Sequence, residues 1–139
     1  MEEIGRRSAL ALGLAATAAP ALVSSRAAIA QAYGPDEGKE TSPGVREIEL
    51  SEREAIIPDY KTVKMLDIVF QPGAEAPQET MEHDVICHIT EGEMAIVLNG
   101  EEFRVKKNDV YTCAKGTTDV SRNDGDVVAV MRAIVLMSA

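Results

Sequence analysis

The chain has 139 residues, 45% of them hydrophobic and 4% aromatic, with no Trp and a formal net charge of −9. That length supports one compact domain. Its acidity repels phosphate backbones and anionic lipid, which argues against nucleic acid as a partner.

Residues 1–32 read as a signal peptide. Arg6-Arg7 precedes an Ala/Leu-rich run from Ser8 to Val23, and Ala30-Gln31-Ala32 fits a small-residue cleavage site, with Ala28-Ile29-Ala30 as a second option. Pro20 breaks the run and Arg26 follows it, so it falls short of the roughly 18 uninterrupted apolar residues of a spanning helix. The basic pair resembles a twin-arginine export signal. Only an uncleaved leader would hold the chain to a membrane. Cleavage before Tyr33 removes three basic and two acidic residues and leaves 107 residues with a net charge of −10. The expected location is periplasmic or secreted, a setting in which Cys87 and Cys113 can oxidise.

Residues 33–46, YGPDEGKETSPGVR, carry Gly, Pro and charge without an apolar period, which predicts an extended arm or linker. The domain proper is expected over residues 47–139. Strands are predicted at REIEL (46–50), TVKMLDIVF (62–70), DVICHIT (84–90), EMAIVL (93–98), EEFRV (101–105), DVYTC (109–113) and DVVAVMRAIVL (126–136). They are rich in Val and Ile and are bounded by turn residues. Asn99-Gly100 predicts a two-residue hairpin, because both turn positions need positive φ. The last strand is apolar apart from Arg132, so it should lie between neighbours and not at an edge. Many short strands in one small domain predict an all-β sandwich or barrel.

The order of turns and strands resembles the cupin family. The family's first motif runs Gly, five residues, His-x-His, three or four residues, Glu, six residues, Gly. Here Pro72-Gly73 opens the corresponding stretch and Glu91-Gly92 closes it. Asn108-Asp109, Lys115-Gly116 and Asn123 stand where the second motif has its Gly-Asp, its turn and its final Asn. The likeness spans roughly residues 62–136 and implies a double-stranded β-helix, or jelly-roll barrel. In cupins three His and one Glu meet on a metal in the barrel mouth. By the same spacing Glu79 and Met81 occupy the first two His positions, Val85 the Glu position and Asp119 the third His position.

Those four residues are a poor donor set, since Val85 coordinates nothing and a thioether mixes badly with hard oxygens. No cofactor is therefore expected. Among Fe, Zn, Mn, Ni and Cu the sequence makes no choice, should a metal bind. The candidate ligand set is Glu79, His83 and Asp119, two carboxylates and an imidazole. His88 has the opposite parity to Val85, Cys87 and Ile89 and should face outward. If DVICHIT and DVYTC pair as cupin strands do, Cys87 lies opposite Cys113. Three readings stay open for the two cysteines: a cross-strand disulfide, two packed thiols, or a soft site with Met81 for an ion such as Cu(I).

The expected pocket is formed by Glu79, Met81, Val85, Cys87, Cys113 and Asp119. Ranked first is an exported domain that binds a small molecule without a catalytic metal. An enzyme comes second, either metal-dependent through Glu79, His83 and Asp119 or a metal-free acid–base lyase or isomerase on Glu79 and Asp119. A structural or assembly role comes third; the cupin resemblance implies a homodimer.

Overall fold

The computed structural model describes residues 32–138, so the expected signal peptide lies outside the described residues but for Ala32. Ten strands form and no helix does among those residues: β1 (Lys39–Ser42), β2 (Val45–Glu54), β3 (Tyr60–Phe70), β4 (Glu75–Thr80), β5 (Asp84–Glu91), β6 (Glu93–Leu98), β7 (Glu101–Lys106), β8 (Val110–Cys113), β9 (Thr118–Arg122) and β10 (Ala129–Ser138). One sheet has the order β1-β2-β3-β10-β5-β8 and the other β4-β9-β6-β7. Neighbouring strands pair antiparallel throughout. Two such sheets packed face to face make the jelly roll.

Three strands had no signal in the hydrophobic pattern. Residues 39–42 lie inside the segment expected to be an arm, yet they pair with β2 as an edge strand. β4 and β9 have the sequences EAPQET and TDVSR, with little apolar alternation. Backbone pairing is what holds them, and β4 slips register between Ala76 and Glu79. Pro77 falls in that slip, where its missing N–H leaves no ladder bond to lose.

Elsewhere period two works as read. Ile89, Met94 and Ile96 are fully buried, and with Val45, Phe70, Val105, Ala129 and Met131 they form the core between the sheets. Each such side chain contributes roughly 1.5–3 kcal/mol on burial. β10 lies between β3 and β5, as its apolar run implied. Leu98 pairs with Glu101 across the β6–β7 hairpin, and its turn residues Asn99 and Gly100 have φ of 50° and 87°.

Gly92 sits at the β5–β6 corner with φ of 78°, and a Cβ there would come within 2.8 Å of Ala129 Cα and the Val128 carbonyl oxygen. Gly92→Ala should therefore cost at least the ~1–2 kcal/mol of a left-handed residue bearing a side chain. The check is the urea midpoint, which should fall with an unchanged m-value. An unmoved midpoint would show that the corner relaxes freely.

On the outer face of the larger sheet, Asp67 of β3, Arg132 of β10 and His88 of β5 form a row across three strands. Arg132 grips Asp67 bidentately, with Nε–Oδ1 at 2.8 Å and Nη2–Oδ2 at 3.0 Å. The Tyr33 hydroxyl also donates to Asp67, which fastens the start of the described chain to this face. Burial alone would raise the Asp67 pKa, but these two partners outweigh it and hold the carboxyl below its usual range. His88 thus faces outward, as its parity indicated.

Candidate functional site

A cavity of 730 Å³ opens between the two sheets, a volume within the range of small-molecule sites. Its wall on the larger sheet is apolar: Leu66, Ile68 and Phe70 from β3, and Met131, Ala133 and Val135 from β10. These alternate positions share one face because successive residues of a strand point to opposite sides. All six residues expected to form the pocket line it, namely Glu79, Met81, Val85, Cys87, Cys113 and Asp119.

The mouth is acidic. Glu79 of β4 is paired directly with Asp119 of β9 across the strands. Asp119 is pushed up to about 6, first by desolvation and then by the Glu79 charge, while the Ser121 hydroxyl pulls the other way. Ser121 is buried and its Oγ donates to Asp119 at 3.4 Å. Desolvation, followed by the charges of Glu47 and Glu82, also raises Glu79. Lys64 reaches the cavity rim, but its ammonium is bonded to Glu49 and does not neutralise the pair. Met81 is fixed beside them by two backbone bonds to the turn before β9: its N–H donates to the Thr117 carbonyl at 2.8 Å, and its own carbonyl accepts from Gly116 N–H at 2.8 Å.

The floor is sulfur-rich. Cys87 and Cys113 are both buried free thiols. The expected direct opposition is corrected: Val85 stands opposite Cys113, and Cys87 opposite Tyr111, so the cysteines are diagonal neighbours. Diagonal residues lie about 7–8 Å apart at Cα, beyond the ~4.4–6.8 Å that a disulfide spans. Their sulfurs nonetheless lie within hydrogen-bonding reach of one another. The Cys113 sulfur and burial both push the Cys87 thiol up. Tyr111 is also pushed up, chiefly by burial, and its hydroxyl lies 3.6 Å from Met131 Sδ. Edge-on packing against Phe103, with ring centroids 5.4 Å apart, holds the Tyr111 ring.

The donor chemistry does not fit the metal that the cupin resemblance implies. Of the four aligned residues, Val85 has no donor atom. Among the described residues, no three His, Cys, Asp or Glu side chains come together to hold a metal. The set Glu79, His83 and Asp119 is therefore corrected: the structure brings the two carboxylates together and leaves the imidazole out. His83 lies in the bend between β4 and β5, beyond the last paired residues of β4. It lines the cavity, and its Nδ1 is buried without a hydrogen-bond partner.

Sequence reasoning missed Ser121, Tyr111 and Met131. Tyr111 and Met131 were within reach of a parity argument, since each lies two residues from an inward-facing position on its own strand.

Neither a protein-family model nor a curated protein sequence matches the chain. Several of its solved structural neighbours are cupins by name. The cupin domain of Cnp3 from Schizosaccharomyces pombe aligns with a TM-score of 0.59 at 20% identity, covering 68% of this chain and 65% of that one. The match thus spans less than two thirds of the yeast domain's length. A predicted oxalate decarboxylase from Thermotoga maritima aligns with a TM-score of 0.58 at 21% identity, covering 67% of this chain and 80% of that one. KdgF from Halomonas sp. gives 0.56 at 20% identity, covering 70% and 84%. At such identities the likeness speaks for the fold.

Proposed function

Starting from a cupin jelly roll with an acidic mouth over an apolar cavity, we propose that this domain binds a small organic cation. The class is an amine or ammonium compound with an apolar body, bound without the metal usual in cupins. We further propose that it works outside the cytoplasm, after removal of residues 1–32. One observation carries the binding reading: the Glu79–Asp119 pair, facing across two strands at the rim of a cavity whose far wall is aliphatic.

Asp119, whose charge is disfavoured by burial and by the neighbouring Glu79 charge, gains most from a cation placed between the two carboxylates. The aliphatic wall receives the ligand's carbon skeleton, and the orphaned His83 Nδ1 offers a further polar contact.

Calorimetry with putrescine, spermidine and choline as probes, and succinate as the anionic control, tests this reading. A cationic probe should bind and succinate should not. Glu79→Gln and Asp119→Asn should each weaken binding about 10–100-fold, the worth of one charge-assisted hydrogen bond. Equal binding of succinate, or unchanged affinity in both variants, would overturn it.

A second reading has its own observation. With Asp119 held near 6 beside Glu79, the pair has the separated proton affinities of a metal-free acid–base couple. Turnover of a bound substrate, lost in Asp119→Asn, would favour that reading.

A further inference from the structure

The cavity holds a nucleophile that cation binding alone does not use. We propose that Cys113 is a covalent capture site for small disulfides that carry an amine, a class that narrows the organic-cation reading and rests on it. Cys113 and Cys87 both line the cavity. Cys113 ends β8 and Asp119 lies just inside β9, so the thiol and the rim carboxyl flank one turn, residues 114–117. That turn is pinned from two directions. Lys115 N–H donates to Asp84 Oδ1 at 2.8 Å, and the Thr117 carbonyl accepts the Met81 N–H at 2.8 Å. Cys87 lies farther from the turn, opposite Tyr111, with its sulfur within hydrogen-bonding reach of Cys113.

The two sulfurs have different work. The Cys87 thiol donates to the Cys113 sulfur and favours its thiolate, while burial and the Asp119 charge oppose it. An ammonium seated between Glu79 and Asp119 offsets that opposing charge, so the ligand itself favours the nucleophile. In an aminoethyl disulfide only two carbons separate the ammonium from the sulfur, which puts the sulfur beside Cys113 while the charge stays at the rim. The Cys113 thiolate attacks that sulfur, and the S–S bond of the ligand breaks as the new one forms. The departing half takes the proton that Cys113 gave up and leaves as the free aminothiol. One thiol is oxidised and half of the ligand is reduced, so no further oxidant is needed. At the diagonal spacing of the two cysteines, closing a bridge between them would require the strands to move. The adduct therefore persists.

The full domain, reduced and then freed of reductant, is incubated with cystamine, with neutral bis(hydroxyethyl) disulfide and with anionic dithiodipropionate. Intact mass and peptide mapping are followed with time. Cystamine should add one aminothiol per chain, at Cys113, about tenfold or more faster than the neutral probe, with the anionic probe slowest. Cys113→Ser should abolish the adduct, and Glu79→Gln should narrow the gap between cystamine and the neutral probe. Cys87→Ala should slow capture about tenfold, and Cys87→Ser, which keeps a donor, should restore most of the rate. If a cysteine variant does not fold, peptide mapping of the parent protein still locates the adduct. No adduct, an adduct at Cys87, or an internal bridge in its place would overturn the capture site; putrescine binding would then leave the cation reading standing alone. Equal rates for the three probes would overturn the proposal through its amine requirement, and calorimetry with putrescine then tells whether the cation reading falls with it.

Discussion

Arg132→Met should destabilise the domain by about 2 kcal/mol at neutral pH, because it takes both guanidinium bonds from the buried Asp67 carboxylate, a cost tempered by solvent at the 37% exposed Arg132 side chain. Asp67 is 2% exposed and depends on Arg132 for two hydrogen bonds. Met fills much of the volume of the lost side chain without its charge, leaving only Tyr33 to stabilise the carboxylate. The pH dependence identifies the cause. In the unmodified protein the Asp67 pKa lies below its unfolded value, so the pair's contribution is present above that unfolded value and is lost as pH falls through the folded one. In the variant, burial without Arg132 raises the Asp67 pKa. The deficit should therefore shrink in acid, where the carboxyl protonates. Urea denaturation at pH 7 and pH 4 measures both. An equal loss at the two values would mean that the side chain serves by packing alone.

Asn123→Ala should cost about 3 kcal/mol, because it leaves several buried backbone groups unpaired. Asn123 is 1% exposed, and its Nδ2 donates to the Phe70 carbonyl at 3.0 Å and the Val127 carbonyl at 2.8 Å. Its Oδ1 accepts from Gly125 N–H at 3.0 Å. One side chain thereby ties the end of β3 to the loop that leads into β10. Asn123→Asp is the sharper control. Its carboxylate would face two carbonyl oxygens, so its deficit should be larger at pH 7 than at pH 4. Thermal unfolding of the three proteins at both values settles the comparison; an Asp variant as stable as the parent at pH 7 would contradict the assigned role.

The fold was legible wherever a strand has one dry face. β5, β6, β7 and β10 alternate or run apolar because they wall the core, and the Asn99-Gly100 turn shows itself by its chemistry. β4 and β9 left no such signal. They form the wet rim of the cavity, so EAPQET and TDVSR are polar and held by backbone bonds. These are also the strands that carry Glu79 and Asp119. The candidate site was therefore read from motif spacing, in the part of the sequence where hydrophobic pattern says least. Spacing along the chain fixed which residues line the cavity, while register was left open. A shift of two residues between β5 and β8 separates Cys87 directly opposite Cys113 from the observed diagonal. No composition or parity argument resolves that shift, because it preserves every inward face. The place of His83 was hidden for a related reason: it sits in a bend, where strand parity no longer applies.

The Asp119 carboxyl links site and stability. Its folded pKa, about 6, lies above its unfolded value, so between those two values the folded state binds the extra proton and stability falls as pH rises. Asp119→Asn should accordingly raise the unfolding temperature above pH 6 while weakening ligand binding. Opposite effects on stability and binding are what a strained binding group gives.

The most direct measurement is the calorimetric affinity of putrescine and of succinate for the unmodified domain at pH 8 and pH 5. At pH 5 only about a tenth of Asp119 is ionised, so putrescine should bind roughly tenfold more weakly than at pH 8, with succinate silent at both. Putrescine affinity that stays level between the two values, or succinate binding at either, would contradict a cation site built on Glu79 and Asp119.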